Sequence, residues 1–536
     1  MSTYSKIATF FHKEHSLKQA VGLLFVTVLI SNLLGLIRNV VIANRVGLTY
    51  GSIAPLDNYY AAFVLPDLLY SIIIVGALSS AILPLLVKTD TEGDERHFWQ
   101  TFNLILSTGL TVVIFGLIFL YFVLPKLVPS LFPGFSPTEM SVTIGLAQVL
   151  LLSPLFFTLS QISTSALQAK RHFFAPAIAP IIYNLAIIAG SLFIPRYGLG
   201  ALVIGVLAGA FGHFLVQLPS LVRLGWRFNF QTGFGDSRIR QIMSLMLPRT
   251  IALTSTQLLL IFFYRIASEF PGGSISIYKL TDDLQTAPVL LLANTLAMAI
   301  LPDFARHHAK AEHRKLNSLV AKSIRLLLYI FLPVTIFLLI FRGPIIDLYI
   351  SIGHAITAAE TDLAVRTFGY FVISLFFQGA VLVLARAYFA RSDTYRPALF
   401  SIVSIVIAYL VAKLLTTTTD MGVTGLALAF SVGSTINAFL LWFNIGLPLR
   451  TLWRDDQQRL NIGVLLVGNA VVGIFFYLTR SAMKAVFSQL SLSVSLENLL
   501  IILISLAVGL IIYLSWSKVF NLEQWQLISK TSSTEK

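Results

Sequence analysis

A chain of 536 residues that is 56% hydrophobic and only 12% charged, with a mean hydropathy of +0.83, cannot hide its apolar surface in a water-soluble fold; ordinary soluble domains carry about 25% charged residues. The absence of cysteine excludes disulfides, thiolate metal sites and cysteine nucleophiles. The net charge of +14 fits lysines and arginines in cytoplasmic loops better than nucleic-acid binding, because no basic stripe with interleaved aromatics stands outside the apolar segments.

From the N-terminus, residues 1–17 read as a polar cytoplasmic segment carrying Lys6 and Lys13. The apolar run after Lys18 is too long for a signal-peptide core and no small-residue cleavage pattern follows it, so it reads as an uncleaved first span. A spanning helix needs about 20 mainly apolar residues. Fourteen segments meet that length or nearly do: 20–46, 56–87, 102–124, 142–167, 175–193, 199–222, 242–267, 275–304, 326–341, 363–390, 398–415, 423–445, 462–479 and 499–516. The ninth is short, and residues 316–325 extend it as an amphipathic turn. The expected fold class is an all-α polytopic membrane protein with about fourteen transmembrane helices.

Loop charge supports that count. With the N-terminus inside, 26 of the 38 lysines and arginines fall in cytoplasmic segments, 8 in the opposite loops and 4 within or at the rim of spans. A missed or extra helix would scramble this asymmetry downstream, so both termini are expected in the cytoplasm.

The chain also repeats itself. Ala81-Ile82-Leu83-Pro84 closes the second span and Ala299-Ile300-Leu301-Pro302 the eighth. A basic turn ends at Pro176 after the fourth span and another at Pro397 after the tenth. A glycine-led start at Gly198 opens the sixth span and one at Gly422 the twelfth. Three concordant offsets predict two six-helix lobes of like orientation, related by an axis along the membrane normal. The expected organisation is a cytoplasmic segment 1–17, an N-lobe 18–225, a C-lobe 226–450, two further helices within 451–516 and a cytoplasmic tail 517–536. Two like bundles suit alternating access about a central substrate.

Charges inside spans are costly and usually face a water-filled cavity or a partner. Arg38 lies deep in the first span, in Ser31-Asn32-Leu33-Leu34-Gly35-Leu36-Ile37-Arg38-Asn39, with no acid within a helical turn. It either snorkels to the interface or meets an anion, and the planar guanidinium fork suits phosphate. Asp57 and Asn58 open the second span, as caps or as site residues, and Asp67 follows Pro66, whose ring leaves a backbone carbonyl open. Arg249, after Pro248 near the start of the seventh span, is a gate cation or an interfacial anchor. The eighth span carries Lys279, Asp282, Asp283 and Gln285 ahead of Pro288. Lys279 is placed to neutralise either aspartate at i,i+3 or i,i+4, or the group lines a cavity.

No phosphate-binding glycine loop, His-Glu-x-x-His or cysteine site is present. No soluble segment is large enough to hydrolyse ATP, so ion gradients, membrane potential or the substrate gradient must drive transport. Asp282 and Asp283 keep a cation or drug antiporter in play. A membrane-embedded polyprenyl-phosphate enzyme would need carboxylates facing one Mg2+ site, whereas adjacent residues diverge by about 100° on a helix. A scaffold without transport is the remaining alternative. No cofactor and no metal are expected.

Several stretches together resemble the MurJ/MviN lipid II flippase family of the multidrug/oligosaccharidyl-lipid/polysaccharide exporter superfamily, over nearly the whole chain. They are Ser31-x-x-Leu34-Gly35-x-x-Arg38; Asp57 with Tyr59 to Leu69, then Gly76-Ala77-Leu78-Ser79 and Pro84; Pro133-Gly134-Phe135; Phe174-Ala175-Pro176 to Pro180 and Asn184; Leu247-Pro248-Arg249-Thr250; Leu284-Gln285-x-x-Pro288; and Ala385-Arg386-Ala387-Tyr388-Phe389-Ala390 with Asp393-Thr394 and Pro397. The resemblance implies fourteen helices around a cationic cavity. It implies a flippase, not an enzyme, that moves undecaprenyl-pyrophosphate-linked disaccharide pentapeptide outward across a bacterial inner membrane. The lipid tail would use a groove near the last two helices. The implied partners are lipid II or a related polyprenyl-pyrophosphate glycan and membrane lipids, with no nucleic acid, and a single copy of the chain is expected.

The departures bear on the site. Asn39 stands where the family has an acid, and Asn32 where an arginine commonly precedes it. Tyr70 and Val75 stand for a family arginine and glutamate, and Asp283 for an arginine, with Lys279 one turn away. The eleventh span is nearly without carboxylates or amides, so sodium binding is not expected. The candidate substrate-binding set is Arg38, Asn39, Asn32, Asp57, Asp67, Lys279, Asp282, Asp283, Gln285 and Arg249, for a divergent flippase or a flippase of another polyprenyl-linked glycan.

Overall fold

The computed structural model describes residues 17–72, 82–351, 356–446, 456–490, 492–522 and 524–525. The expected N-terminal segment, Val75 and most of the C-terminal tail lie outside these residues. Contacts divide the chain into two compact units, Met1–Ser276 and Ile277–Lys536. This is a division by packing; the lobe boundaries above are a division by sequence repeat.

The first unit runs α1 (Leu17–Tyr50), α2 (Pro55–Tyr70), α3 (Leu83–Thr91), α4 (Glu95–Leu131), α5 (Pro137–Leu150), α6 (Leu152–Ala169), α7 (Phe174–Ser191), α8 (Ile194–Tyr197), α9 (Leu199–Leu215), α10 (Leu218–Arg223) and α11 (Ser237–Ala267). The second runs α12 (Ser274–Pro288), whose first turn holds the division, a π-helical turn (Val289–Asn294), α13 (Thr295–Ala309), α14 (His313–Tyr349), α15 (Ala358–Val372), α16 (Leu375–Ala390), α17 (Tyr395–Thr418), α18 (Val423–Asn444), α19 (Asp456–Phe487) and α20 (Val494–Val519). No strand occurs among the described residues.

Eleven helices or helix pairs among the described residues are long and apolar enough to cross a membrane. α15 and α16 add a twelfth, bent by 41° at residues 373–374. The other two expected spans, 56–87 and 242–267, run through residues or side chains outside the described set. The short ninth span is the apolar middle of α14, a continuous helix of 37 residues. Its first turns are the amphipathic extension read from the sequence.

The helices start where water-side caps satisfy their first N–H groups. Asp94 accepts from the His97 N–H, Asp236 from Arg238 and Ser493 from Leu496. Reciprocal capping boxes open α5 (Ser136 with Glu139) and α15 (Thr357 with Glu360). On the outer faces large apolar side chains point away from the protein at helical spacing. Phe115, Phe119 and Phe122 of α4 are 69, 65 and 72% exposed. In water such a stripe would aggregate; in a bilayer it is the lipid-facing side.

The turns repeat with the sequence. Left-handed backbone occurs at Gly51 and Gly273, Gly93 and Ala311, Arg171 and Ser392, Gly198 and Gly422, and Gly225 and Gly446, pairs separated by 218 to 224 residues. Positive φ is uncommon in non-glycine residues, so the pair Arg171 (φ 61°) and Ser392 (φ 60°) carries the most weight. Pro66 and Pro288 stand 222 apart, and π-helical backbone follows each, at residues 71–72 and at Val289–Asn294. A proline removes one donor from the ladder and clashes with the preceding turn, and a π turn absorbs the misfit.

Inside the first unit α7 packs between α1 and α9. A Cβ added at Gly205 would lie 3.0 Å from the Gly190 Cα, so these glycines let α7 and α9 approach backbone to backbone. That close crossing fixes the height of Asn184 against α1. In the second unit α19 and α20 pack on α14, with Phe337, Phe341, Val472, Phe476, Ile501 and Tyr513 in one core. The Tyr513 hydroxyl donates to the Tyr329 carbonyl at 2.6 Å and Tyr329 donates to Ser517 at 2.9 Å, so the last helix is fastened to the ninth span by polar bonds as well.

Candidate functional site

In the first unit the site is built on α1, α2 and α7. The Arg38 guanidinium donates to the Asn39 side-chain oxygen from Nε (3.2 Å) and Nη2 (3.0 Å), and to Asn184 Oδ1 from Nη1 (3.1 Å). Asn184 is itself positioned, its amide donating to the Ser31 carbonyl (3.2 Å), the Ser31 hydroxyl (3.3 Å) and the Pro180 carbonyl (3.1 Å). Amide oxygens that accept from a guanidinium fix the direction of its fork. Asn39 is 3% exposed and Asn32 half-buried. The Tyr59 and Tyr183 hydroxyls feel the charges of both Arg38 and Asp67, which places the four side chains in one polar neighbourhood.

Asp57 does something else. It is 5% exposed and sits in the first turn of α2. Its carboxylate accepts from the Gly273 N–H and the Ser276 N–H, each at 2.8 Å, and from the Ser276 hydroxyl at 2.5 Å. The residue read as a cap or a site residue therefore caps a helix, but that helix is α12 rather than its own. Its charge meets the positive end of the α12 dipole. The side chain of Arg249 lies outside the described residues.

In the second unit Lys279 pairs with Asp283 at 2.6 Å, the i,i+4 alternative. Asp282, 100° around the helix, turns to Gln285, whose amide donates to it at 3.0 Å. From there a chain of polar groups crosses to other helices. Gln378 of α16 donates to Gln285 Oε1 (2.8 Å) and to the Ser374 hydroxyl (3.0 Å), and Ser431 of α18 donates to Ser374 (3.0 Å) and to the Tyr370 carbonyl (2.7 Å). Ser374 stands at the bend between α15 and α16. The Ser374 hydroxyl at the bend is thus linked through two glutamines to an aspartate on α12.

Asn184, Tyr183, Gln378, Ser374 and Ser431 were not among the residues singled out as candidates. The signal available was a lone amide in an apolar run, as in Leu375-Phe376-Phe377-Gln378, where an unpaired amide in hydrocarbon would be costly. Among the described residues no three of His, Cys, Asp or Glu come together as a metal site.

Known proteins give the arrangement its context. The profile of the family described as Lipid II flippase MurJ matches residues 48–529. The chain belongs to the MurJ lipid II flippase family. A lipid II flippase MurJ from Burkholderia cenocepacia is 26% identical over 459 residues, which is 83% of this chain and 86% of that protein. A solved structure of lipid II flippase MurJ in an inward closed conformation matches with a TM-score of 0.74 at 22% identity, covering 93% of this chain and 98% of that one. An inward-facing multidrug resistance MATE family transporter of the MOP superfamily matches at TM-score 0.60 and 15% identity, over 78% of this chain and 96% of that one. These structural likenesses speak to the fold. MurJ is a family of transporters, so the chain is a multi-pass inner-membrane transport protein. The match to the MurJ profile begins ten residues beyond Arg38, so the importance of Arg38 rests on its own geometry.

Proposed function

We propose that this chain translocates lipid II, the polyprenyl-pyrophosphate-linked peptidoglycan precursor, from the inner to the outer leaflet, with Arg38 receiving the pyrophosphate. The observation that carries the assignment is a guanidinium at membrane depth, oriented by Asn39 and by an Asn184 that is itself held by Ser31 and Pro180. A preset cation costs little reorganisation when the anion arrives. The family membership supplies the substrate class. Asp67 and Asn32 line the approach, and Lys279, Asp282, Asp283 and Gln285 form a second polar group that meets the neutral and zwitterionic parts of the head group. Arg249 is held in reserve as a gate cation at the start of α11.

The paired turns and capping boxes support two six-span lobes, 18–225 and 226–450, that alternate access, with the helices of 451–516 carrying the tail. The cationic loops support cytoplasmic termini, and the chain works as a single copy without a cofactor. The test is flipping of labelled lipid II in vesicles containing the purified chain. Wild type should move it; Arg38→Ala should lose most of the activity and Arg38→Lys should keep part, since a point charge replaces a fork. Full flipping by Arg38→Ala would remove the site assignment. Failure of the wild-type chain to move lipid II, with efflux of cationic dyes instead, would replace the substrate.

A further inference from the structure

Residues 224–236 connect α10 to α11, and in Trp226-Arg227-Phe228-Asn229-Phe230-Gln231-Thr232-Gly233-Phe234 three phenylalanines are 56, 62 and 58% exposed. A row of large exposed aromatics outside a span needs something to cover it. The connection itself is tightly held. Trp226 is buried against Phe102, ring centroids 5.6 Å apart, and its indole N–H donates to Asn103 Oδ1 at 2.9 Å. Asn103 in turn donates to the Arg227 carbonyl at 2.9 Å. Further along, the Gln231 N–H donates to the Ser107 hydroxyl (3.2 Å) and the Gly233 N–H to Thr108 (3.1 Å). Arg238 closes the series on Thr101 at 2.8 Å. Thr101, Asn103, Ser107 and Thr108 are all buried on α4. One face of α4 is therefore a polar ladder that satisfies the connection's backbone, and the phenylalanines turn outward.

The depth of this ladder decides what covers them. α4 becomes apolar at Phe102, so the connection runs along the first turns of a membrane span, at the boundary between head groups and acyl chains. Exposed Arg223, Arg227 and Arg240 surround it. Of the carboxylates there, Asp236 is committed to the Arg238 guanidinium and to the α11 N-terminus, and Glu95 lies beside Gly225. The balance is cationic.

We infer that residues 226–236 form an interfacial strap that binds anionic phospholipid head groups in the leaflet at that end of α4. Phe228, Phe230 and Phe234 enter the acyl boundary, and Arg223, Arg227 and Arg240 meet the phosphates. Basic residues next to apolar anchors are the general chemistry of such contacts. The inference is independent of which lipid-linked substrate the chain moves.

The cysteine-free chain permits a clean test. The full-length protein carrying Phe230→Cys, labelled with an environment-sensitive nitrobenzoxadiazole, is placed in phosphatidylcholine vesicles with and without phosphatidylglycerol; Phe228→Cys serves if the first variant does not fold. The expected result is blue-shifted emission that shallow spin-labelled lipid quenches and aqueous iodide does not. Spin-labelled phosphatidylglycerol should quench several-fold better than its phosphatidylcholine counterpart. That preference should vanish in the Arg223→Ala, Arg227→Ala, Arg240→Ala triple variant. Quenching by iodide alone would put the strap in water, open to a soluble partner, and overturn the inference. Equal quenching by the two lipids would overturn the head-group assignment.

Discussion

Arg38 and Lys279, two of the cations in membrane-spanning helices, have surroundings that differ in kind. Arg38 is braced by the side chains of Asn39 and Asn184, neutral groups that fix its direction. Lys279 is matched by Asp283 one turn away on the same helix. The first arrangement reaches from one helix to another through amides; the second stays within one helix, while the neighbouring acid, Asp282, leads into a chain of amides and hydroxyls. Lys279 also stands 222 residues after Asp57, in the register of Gly51 with Gly273 and of Pro66 with Pro288. In one copy of the helix this position holds an acid used as a cap for α12, in the other a lysine used in an ion pair. The repeated element keeps its backbone geometry and changes its side-chain chemistry. Turns are set by local steric rules, whereas each side chain answers to its own neighbours.

The strongest break in this comparison should come from Arg38. Arg38→Ala removes two charge-assisted bonds to a pyrophosphate, each worth about 1.5–3 kcal/mol, so flipping should fall by about 100-fold or more. Asn184→Leu should cost about tenfold while the charge remains, because only the orientation is lost. Rates for both variants in the vesicle assay check this, and equal losses would mean that the amide brace matters as much as the cation.

Asp57→Ala should be the most destabilising of the structural changes. It strands the Gly273 and Ser276 N–H groups and a hydroxyl in a buried place, at about 1–3 kcal/mol for each unsatisfied group. A clear fall of Tm in detergent is expected, with Asp57→Asn falling less. An unchanged Tm for Asp57→Ala would show that the cap is dispensable.

Gln378→Leu cuts the link from Gln285 to Ser374 at the bend between α15 and α16. A loss of about 1–2 kcal/mol in stability is expected, read as a shift in the thermal midpoint, and Arg38-dependent substrate binding should be unaffected. A smaller signal is expected from the partly exposed pair in α12. In a double-mutant cycle Lys279→Ala and Asp283→Ala should couple by about 0.5–1 kcal/mol. A coupling of zero would mean the two side chains act separately.

The smallest effect is a pH dependence outside the spans. The Arg238 guanidinium beside Asp236 holds its carboxyl at about 2, below the ordinary value of 3.8. The folded-state pKa is depressed, so the stabilisation is present above pH about 4 and is lost as pH falls towards about 2. Solvent screening makes it a few tenths of a kcal/mol. Comparison of acid-limb stability in Asp236→Asn and wild type measures it, and identical limbs would remove the pair from the account.

Much of the fold was legible in the residues. Long apolar runs pointed to an all-helical polytopic membrane chain, because a bilayer demands runs of that length. Arg38 stood out because a guanidinium in hydrocarbon needs a reason. Its brace did not, because Asn184 lies 146 residues away and only the glycine crossing of α7 with α9 sets its height against α1. Helix two's Asp57 could be read as a cap, but which helix it caps depends on a loop more than 200 residues later.

What the sequence determined by itself was the class of molecule and the list of costly polar residues, since burial in lipid penalises each of them wherever it sits. What only the tertiary structure decided was their pairing: Arg38 with two amides, Lys279 with Asp283 rather than Asp282, and Asp57 with α12. The choices of Asn184 for Arg38 and of α12 for Asp57 follow from distances of about 3 Å between segments far apart along the chain, which no local pattern of hydropathy or charge encodes; the choice of Asp283 for Lys279 is made by side-chain direction within one helix.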